Sequence, residues 1–267
     1  MTETLNDALA RAANAEQVLI ALDFDGTLAP FTEDPADSRP IPEARAALDA
    51  LAVLPRTTVA IISGRPLEFL REVVDPARHM VLSGSHGAEM DLSVLPDLPE
   101  DAEHDINLTS EQLALLDRAV DATHAMVSRY PGSRAELKPA GVCFHTRPIK
   151  DTRVSEQALD EMTRAYSDLE GLRITPGQQV VECSVLSATK GDGLRIIKAA
   201  ASPDVTVFAG DDVTDEDALE LLTGPDVGIK VGDKETVATQ RVSGPQELAD
   251  LLGVFADQRT RAVTSIR

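Results

Sequence analysis

The run Val18-Leu19-Ile20-Ala21-Leu22-Asp23-Phe24-Asp25-Gly26-Thr27-Leu28 decides the fold. Five apolar residues in a row, two of them β-branched, have the length and composition of a strand buried on both faces, the kind found in the middle of a parallel sheet. The run then breaks into two aspartates around one phenylalanine. Residues i and i+2 of an extended segment point the same way, so Asp23 and Asp25 leave the carboxyl end of the strand together. Ligands of open α/β sheets bind at that end. Two adjacent carboxylates resist joint ionisation unless a cation or a proton joins them, and an acidic pair at the end of an apolar strand serves no packing purpose.

Further runs of strand length recur at Thr57 to Ile62, His79 to Leu82, Val205 to Ala209 and Val227 to Val231, with helical spacing at Pro40 to Leu54 and Pro66 to Val74. The alternation predicts an α/β fold, a doubly wound parallel sheet of Rossmann-like type. Between residues 106 and 185 the order changes. Helical patterns at Ser110 to Tyr130 and Ser155 to Leu169 alternate with paired strand-like runs at Arg134 to Leu137, Gly141 to Thr146, Leu172 to Thr175 and Gln179 to Ser184. The order α-β-β-α-β-β predicts an inserted α+β domain, which leaves residues 1–105 and 186–267 as one α/β core.

Three further strand ends and helix starts carry polar residues. Ile62-Ser63-Gly64-Arg65-Pro66 places a hydroxyl and a glycine before a helix, where N–H groups and the dipole favour an anion, although Ser-Gly there is also an ordinary cap. Thr189-Lys190-Gly191-Asp192 opens a helix with a cation on the wrong end of the dipole; this predicts a negative partner, and a solvated lysine fits the segment equally. Gly210-Asp211-Asp212-Val213-Thr214-Asp215-Glu216-Asp217 ends the strand from Val205 with hard oxygen ligands suited to Mg2+. A helix start accounts for the last three acids and leaves Asp211 and Asp212 unexplained.

In this order the four segments resemble those of the haloacid dehalogenase-like phosphatases, and their spellings LDFDGTL, ISGR and GDDVTDED are similar to one branch, the trehalose-6-phosphate phosphatases. Arg134 to Lys138 (RAELK), His145-Thr146-Arg147, Ser85 to Glu89 (SHGAE) and Val181-Glu182 are similar to further segments of that branch, with Thr146 where tyrosine is usual. The resemblance implies a hydrolase core with a cap domain, and an Mg2+-dependent hydrolysis of trehalose 6-phosphate through an aspartyl phosphate. It implies Asp23 as nucleophile, Asp25 as general acid and base, and Ser63 and Lys190 on the phosphoryl oxygens. The metal would be held by Asp23, the Asp25 carbonyl and Asp211, with Asp212 or Asp215 orienting bound water. Thr27 would position the first loop, Gly64 and Arg65 would lie at the phosphate, and His86 and Gly87 would line the cleft. Glu136, Lys138 and Glu182 would meet sugar hydroxyls, and His145 and Arg147 would either touch ligand or support the cap. Two other readings are another sugar phosphatase of this capped type, acting on a sucrose or mannosylglycerate phosphate, and an inactive partner of a sugar-nucleotide transferase. Intact Asp23, Asp25, Lys190 and Asp211 weigh against the latter.

The chain has 267 residues with 25 basic and 45 acidic side chains, a net charge of −20. Residues 106–185 account for only −2 of it and the remainder for −18. Such a surface repels polyanions, and with no Trp and two Tyr it lacks stacking platforms, so neither nucleic acid nor an anionic membrane is an expected partner. The expected partner is a small sugar phosphate. The polar start without an apolar stretch, and Cys143 and Cys183 set in apolar runs as reduced core thiols, lead to the expectation of a cytoplasmic protein; a monomer is expected, although no residue pattern reports the oligomeric state.

Overall fold

A computed structural model describes residues 3–95, 103–104 and 108–264. The chain divides into two compact units, Met1–Asp105 with Ala188–Arg267, and Ile106–Ser187. The first boundary expected from the sequence, between residues 105 and 106, lies outside the described residues.

The first unit runs α1 (Leu5–Ala13), β1 (Val18–Leu22), α2 (Pro42–Ala52), β2 (Thr57–Ile62), α3 (Leu67–Val73), β3 (Val81–Gly84), β4 (Glu89–Asp91) and β5 (Glu103–His104). The second contains α4 (Ser110–Arg129), β6 (Arg134–Lys138), β7 (Gly141–His145), α5 (Thr152–Ser167), β8 (Arg173–Gly177) and β9 (Val180–Ser184). The first then resumes with α6 (Lys190–Ala201), β10 (Val205–Gly210), α7 (Glu216–Leu219), β11 (Val227–Val231), β12 (Gln240–Val242) and α8 (Pro245–Thr264).

The sheet of the first unit has the order β12-β11-β10-β1-β2-β3-β4-β5. Pairing is parallel from β12 to β3 and antiparallel beyond, so the α/β expectation holds, with an added antiparallel edge. Side chains of β1 alternate between two cores. Val18, Ile20 and Leu22 pack with α1, α2 and α8, while Leu19 and Ala21 pack with Leu194 and Ile197 of α6 and Leu219 of α7. Strand β1 lies between β10 and β2, where the strand order reverses. The carboxyl ends there border the crevice of a doubly wound sheet.

Several boundaries differ from the sequence reading for local reasons. Strand β1 stops at Leu22 because the chain turns back on itself: Leu28 and Ala29 donate N–H to the Phe24 carbonyl at 2.9 and 3.0 Å. Strand β3 starts at Val81 because Asp75 accepts from the N–H groups of His79 and Met80 at 2.9 and 2.8 Å and holds them in a turn. Helix α6 begins at Lys190, four residues before the first apolar position, through a capping box between Thr189 and Asp192. Asp151 similarly starts α5 at Thr152.

In the second unit, four antiparallel strands in the order β6-β7-β9-β8 pack Val142, Phe144, Val181 and Cys183 against Ala119 and Met126 of α4 and Met162 and Tyr166 of α5. Alternation sends the other face of these strands away from that core. Among the described residues no helix is long and apolar enough to cross a membrane.

Candidate active site

Asp23 extends β1 by one backbone bond, its N–H reaching the Ala209 carbonyl of β10 at 3.0 Å. Phe24 turns into the core, edge-on to Phe69 with ring centres 5.7 Å apart. That anchors the loop and leaves Asp23 and Asp25 for the crevice. Asp23 is buried, and Thr27 Oγ1 donates to its Oδ2 at 3.1 Å. Asp25 stays partly exposed and is held at both oxygens. Arg65 Nε donates to Oδ2 at 2.6 Å and Nη2 to Oδ1 at 2.7 Å, with Ser38 Oγ donating to Oδ1 at 3.0 Å. This two-pronged geometry is the strong form of an arginine–carboxylate pair. Arg65 is itself fixed by the Pro35 carbonyl at 2.8 Å and by the Phe69 ring, 4.6 Å below its guanidinium. The sequence pointed to Arg65; Ser38 it did not reveal.

The lysine on the wrong end of its helix has the negative partners its position predicts. Lys190 Nζ donates to Asp23 Oδ1 at 2.6 Å and to Asp215 Oδ1 at 2.8 Å, and all three residues are buried. Burial works against the ammonium, yet Asp215 and Asp23 raise its pKa and hold it charged. Around it, carboxylate oxygens of Asp23, Asp211 and Asp215 lie within 4.8 Å of one another. Burial, and then the charge of Asp215, pushes Asp23 well above the usual carboxylate range and Asp211 up to about 6. Three buried acids with one ammonium are short of positive charge, and hard oxygen donors at this spacing suit a divalent cation. The donor set therefore fits a metal centre.

Gly26, at φ +80°, makes this closeness possible: a Cβ there would lie 2.5–2.7 Å from the Asp211 carboxylate. Asp215 is fixed at its other oxygen by the Asp212 N–H at 2.9 Å. Asp212 itself leans outward, its Oδ1 2.6 Å from Lys234 Nζ. Burial is the largest influence on the Asp212 carboxyl and would raise it, but the Lys234 hydrogen bond, the Val213 N–H and the charges of Lys234 and Lys190 together hold the pKa below its ordinary value. Lys230, wholly buried in β11, donates to the Asp212 carbonyl at 3.0 Å and to Glu216 Oε1 at 2.6 Å. A lysine inside the apolar run VGIKV was the available signal for that last contact.

Ser63 follows β2 and is buried, its N–H on the Ser83 carbonyl at 2.9 Å and its Oγ accepting from the Arg65 N–H at 3.2 Å. The His86 N–H reaches the Ser63 carbonyl at 2.9 Å. Its imidazole sits against Gly64, where a Cβ would be 2.5 Å from Nε2. Gly87 meets the start of α6 at the Thr189 carbonyl. The anion cradle expected at the start of α3 is partly taken by the protein: the Leu67 N–H donates to Glu89 Oε2 at 3.2 Å, and Ser85 Oγ holds the same oxygen at 2.6 Å.

In the second unit, Glu136 pairs in register with Cys143, and Cys143 with Glu182. Alternation adds Lys138 and His145 to the same face. The face carries an ion pair, Lys138 Nζ to Glu182 Oε2 at 2.5 Å, and a hydrogen bond between His145 Nε2 and Glu136 Oε2 at 2.8 Å. Arg147 is exposed on the loop after β7. Of the two cysteines, Cys183 packs in the core as expected. Cys143 departs from that expectation, because it is buried but turned to the polar face, its thiol 3.3 Å from Glu182 Oε2. Burial pushes this thiol well above its ordinary pKa. Thr146 bonds Ser155 Oγ at 2.7 Å, so a small hydroxyl locks β7 to the start of α5 where the resemblance leads one to expect a ring.

The trehalose-phosphatase family model matches residues 21–250. Trehalose-phosphate phosphatase of Mycobacterium marinum is 32% identical over 250 residues, which cover 90% of this chain and 61% of that protein. Its counterpart from Mycobacterium leprae is 29% identical, with 91% of this chain and 58% of that protein covered. The chain thus spans about 60% of the length of these curated relatives. Among solved structures, the C-terminal domain of Candida albicans trehalose-6-phosphate phosphatase superposes with a TM-score of 0.82 at 23% identity, over 96% of this chain and 99% of that one. A haloacid dehalogenase-like hydrolase from B. subtilis gives 0.55 at 16% identity, over 88% and 98%. At these identities the superpositions establish the fold.

Proposed function

The chain belongs to the trehalose-phosphatase family, and from that premise we propose that it hydrolyses trehalose 6-phosphate to trehalose and phosphate through an aspartyl-phosphate intermediate. One observation carries the reading: Asp23, Lys190, Asp211 and Asp215 come from three separate segments and converge, buried, at the reversal point of the sheet.

Asp23 is the nucleophile. Thr27 and Lys190 hold its two oxygens, so the carboxylate meets phosphorus in a fixed orientation, and such positioning supplies a large share of the barrier reduction in phosphoryl transfer. The carboxylate oxygen forms a bond to phosphorus as the bond to the sugar oxygen breaks. Asp25 protonates the departing oxygen and then removes a proton from the water that cleaves the acyl phosphate. In the free protein Arg65 occupies both Asp25 oxygens. An arriving phosphate dianion competes for that guanidinium, which ties the release of Asp25 to the presence of substrate. Ser63 Oγ and the N–H groups around Gly64 receive phosphoryl oxygens as charge redistributes. Mg2+ would be held by Asp23, Asp211 and the Asp25 carbonyl, with Asp212 or Asp215 behind it, and when bound it neutralises phosphoryl charge. The chain's net charge of −20 makes local cations a requirement for binding a dianion.

In the second unit, Glu136, Lys138 and Glu182 offer both donors and acceptors to sugar hydroxyls. They are rigid because they sit on paired strands, with Lys138 bonded to Glu182 and Glu136 to His145, and they give this unit the specificity role, with His145 and Arg147 beside them. The test is steady-state kinetics across a panel of sugar phosphates. Trehalose 6-phosphate is expected to be turned over fastest, and Asp23→Asn to abolish turnover with an unchanged far-UV spectrum. Hydrolysis of glucose 6-phosphate at an equal rate, or activity retained in Asp23→Asn, overturns the assignment.

A further inference from the structure

The polar sheet face of the second unit holds a group of side chains whose chemistry differs from that of the acidic crevice. Cys143 Sγ, a ring nitrogen of His145 and a carboxylate oxygen of Glu136 lie within 4.8 Å of one another. Cys143 and His145 are two residues apart on β7 and so share a face, and Glu136 is the β6 residue in register with Cys143. The three donors are therefore carried by one hairpin and are not brought together by a mobile loop.

We propose that Glu136, Cys143 and His145 form a second metal site, selective for Zn2+ and similar borderline-soft divalent ions over Mg2+. Thiolate, imidazole and one carboxylate make a three-ligand set with a fourth position left for water. Tetrahedral zinc, with bonds of about 2.0–2.3 Å, places its ligand atoms about 3.3–3.8 Å apart. The donors here are within roughly an ångström of that spacing, which side-chain rotation supplies. Entry is from the Glu136 side, where the side chain is 37% exposed. Lys138 does not oppose the ion strongly, because Glu182 neutralises it at 2.5 Å. When the metal–sulfur bond forms, the Cys143 thiol gives up its proton to water, and the hydrogen bond from the thiol to Glu182 is lost.

Occupancy has a functional consequence that rests on the reading proposed above. Glu136 is assigned to the sugar and His145 lies beside it, so a metal that takes both removes a sugar contact and excludes the sugar phosphate, and zinc acts as a competitive inhibitor from a site that Mg2+ does not fill.

The site is tested by titrating the 267-residue chain with Co2+ in the presence of excess Mg2+, which keeps the acidic crevice occupied. One equivalent of Co2+ is expected to give a thiolate-to-cobalt charge-transfer band with a tetrahedral visible spectrum, and Zn2+ to displace it. Cys143→Ser loses the charge-transfer band, and both Cys143→Ser and His145→Asn weaken Zn2+ binding at least about tenfold. Far-UV spectra and thermal unfolding establish that each variant folds; if Cys143→Ser does not, His145→Asn decides. A wild-type protein with no thiolate band, or Zn2+ affinity unchanged in the folded variants, overturns the site. In the phosphatase assay zinc is expected to raise KM and leave kcat unchanged, and Cys143→Ser to relieve this relative to its own metal-free rate. Inhibition that is insensitive to Cys143→Ser overturns the competition. A protein that hydrolyses no sugar phosphate overturns the proposed function and leaves the cobalt spectrum to decide the metal site by itself.

Discussion

Asp211→Asn is expected to make the metal-free protein more stable while it weakens the metal centre. Asp211 is 8% exposed, and its ion-pair partner within 4 Å among the described residues is Lys234 at 3.8 Å. Burial and the charge of Asp215 push its carboxyl from 3.8 up to about 6. Forcing such a group to ionise in the folded state costs about 3 kcal/mol. The unfolded chain ionises this group near 3.8, so the cost is absent below that pH, grows as pH rises from about 4 to 6, and is constant above. An amide of the same shape removes it. Lys190 shares its charge among the neighbouring acids, so the net gain at pH 8 is expected to be about 1–3 kcal/mol, or a rise in Tm of at least about 3 °C for a chain of this size. Thermal unfolding in the presence of a chelator measures it at pH 8 and again at pH 4, where the difference should nearly vanish. Excess Mg2+ should reverse the order, because ligand at 1,000 times its Kd stabilises wild type by about 4.1 kcal/mol, more than the variant's gain, and the variant by much less. A variant that melts at or below wild type in chelator at pH 8 would refute the account of the acidic cluster as strain relieved by a cation.

Two further substitutions probe the scaffold. Gly26→Ala places a Cβ 2.5–2.7 Å from the Asp211 carboxylate at a φ of +80°, so it should cost about 1–2 kcal/mol of stability and reduce Mg2+ affinity at least tenfold by calorimetry. Arg259→Met should destabilise the protein by about 3–5 kcal/mol in denaturant titrations with KM for trehalose 6-phosphate unchanged. The buried guanidinium donates to the carbonyls of Ala13 at 3.0 Å and Glu16 at 2.9 Å, to those of Ala15 and Arg56, and to Thr57 Oγ1 at 3.0 Å. It ties α8 to the segments that enter β1 and β2, away from Asp23.

Local residue pattern was enough to mark the strands that build the crevice and the polar residues at their ends. Short apolar runs, rich in β-branched residues and repeated between helical patterns, read as strands buried on both faces, and an acid pair after such a run has no packing purpose. That is why Thr57–Ile62 and Val227–Val231 match the strands residue for residue. It also explains why Lys190, oddly placed for a helix dipole, announced partners that the sequence could not name. What remained hidden depends on contacts distant in the chain. Helices α1 and α8 were not marked out, because their apolar faces acquire meaning only when both pack on the same side of β1. The choice of Asp215 as second partner of Lys190, the hold of Arg65 and Ser38 on Asp25, and the glycine that admits Asp211 all join residues separated by 13 to 185 positions. Cys143 shows the limit most clearly: an apolar neighbourhood in sequence suggested core, and strand alternation placed its thiol among Glu136, His145 and Glu182. Local pattern sets which residues can reach a strand end or a sheet face, and only the tertiary pairing of those strands sets which charges meet there.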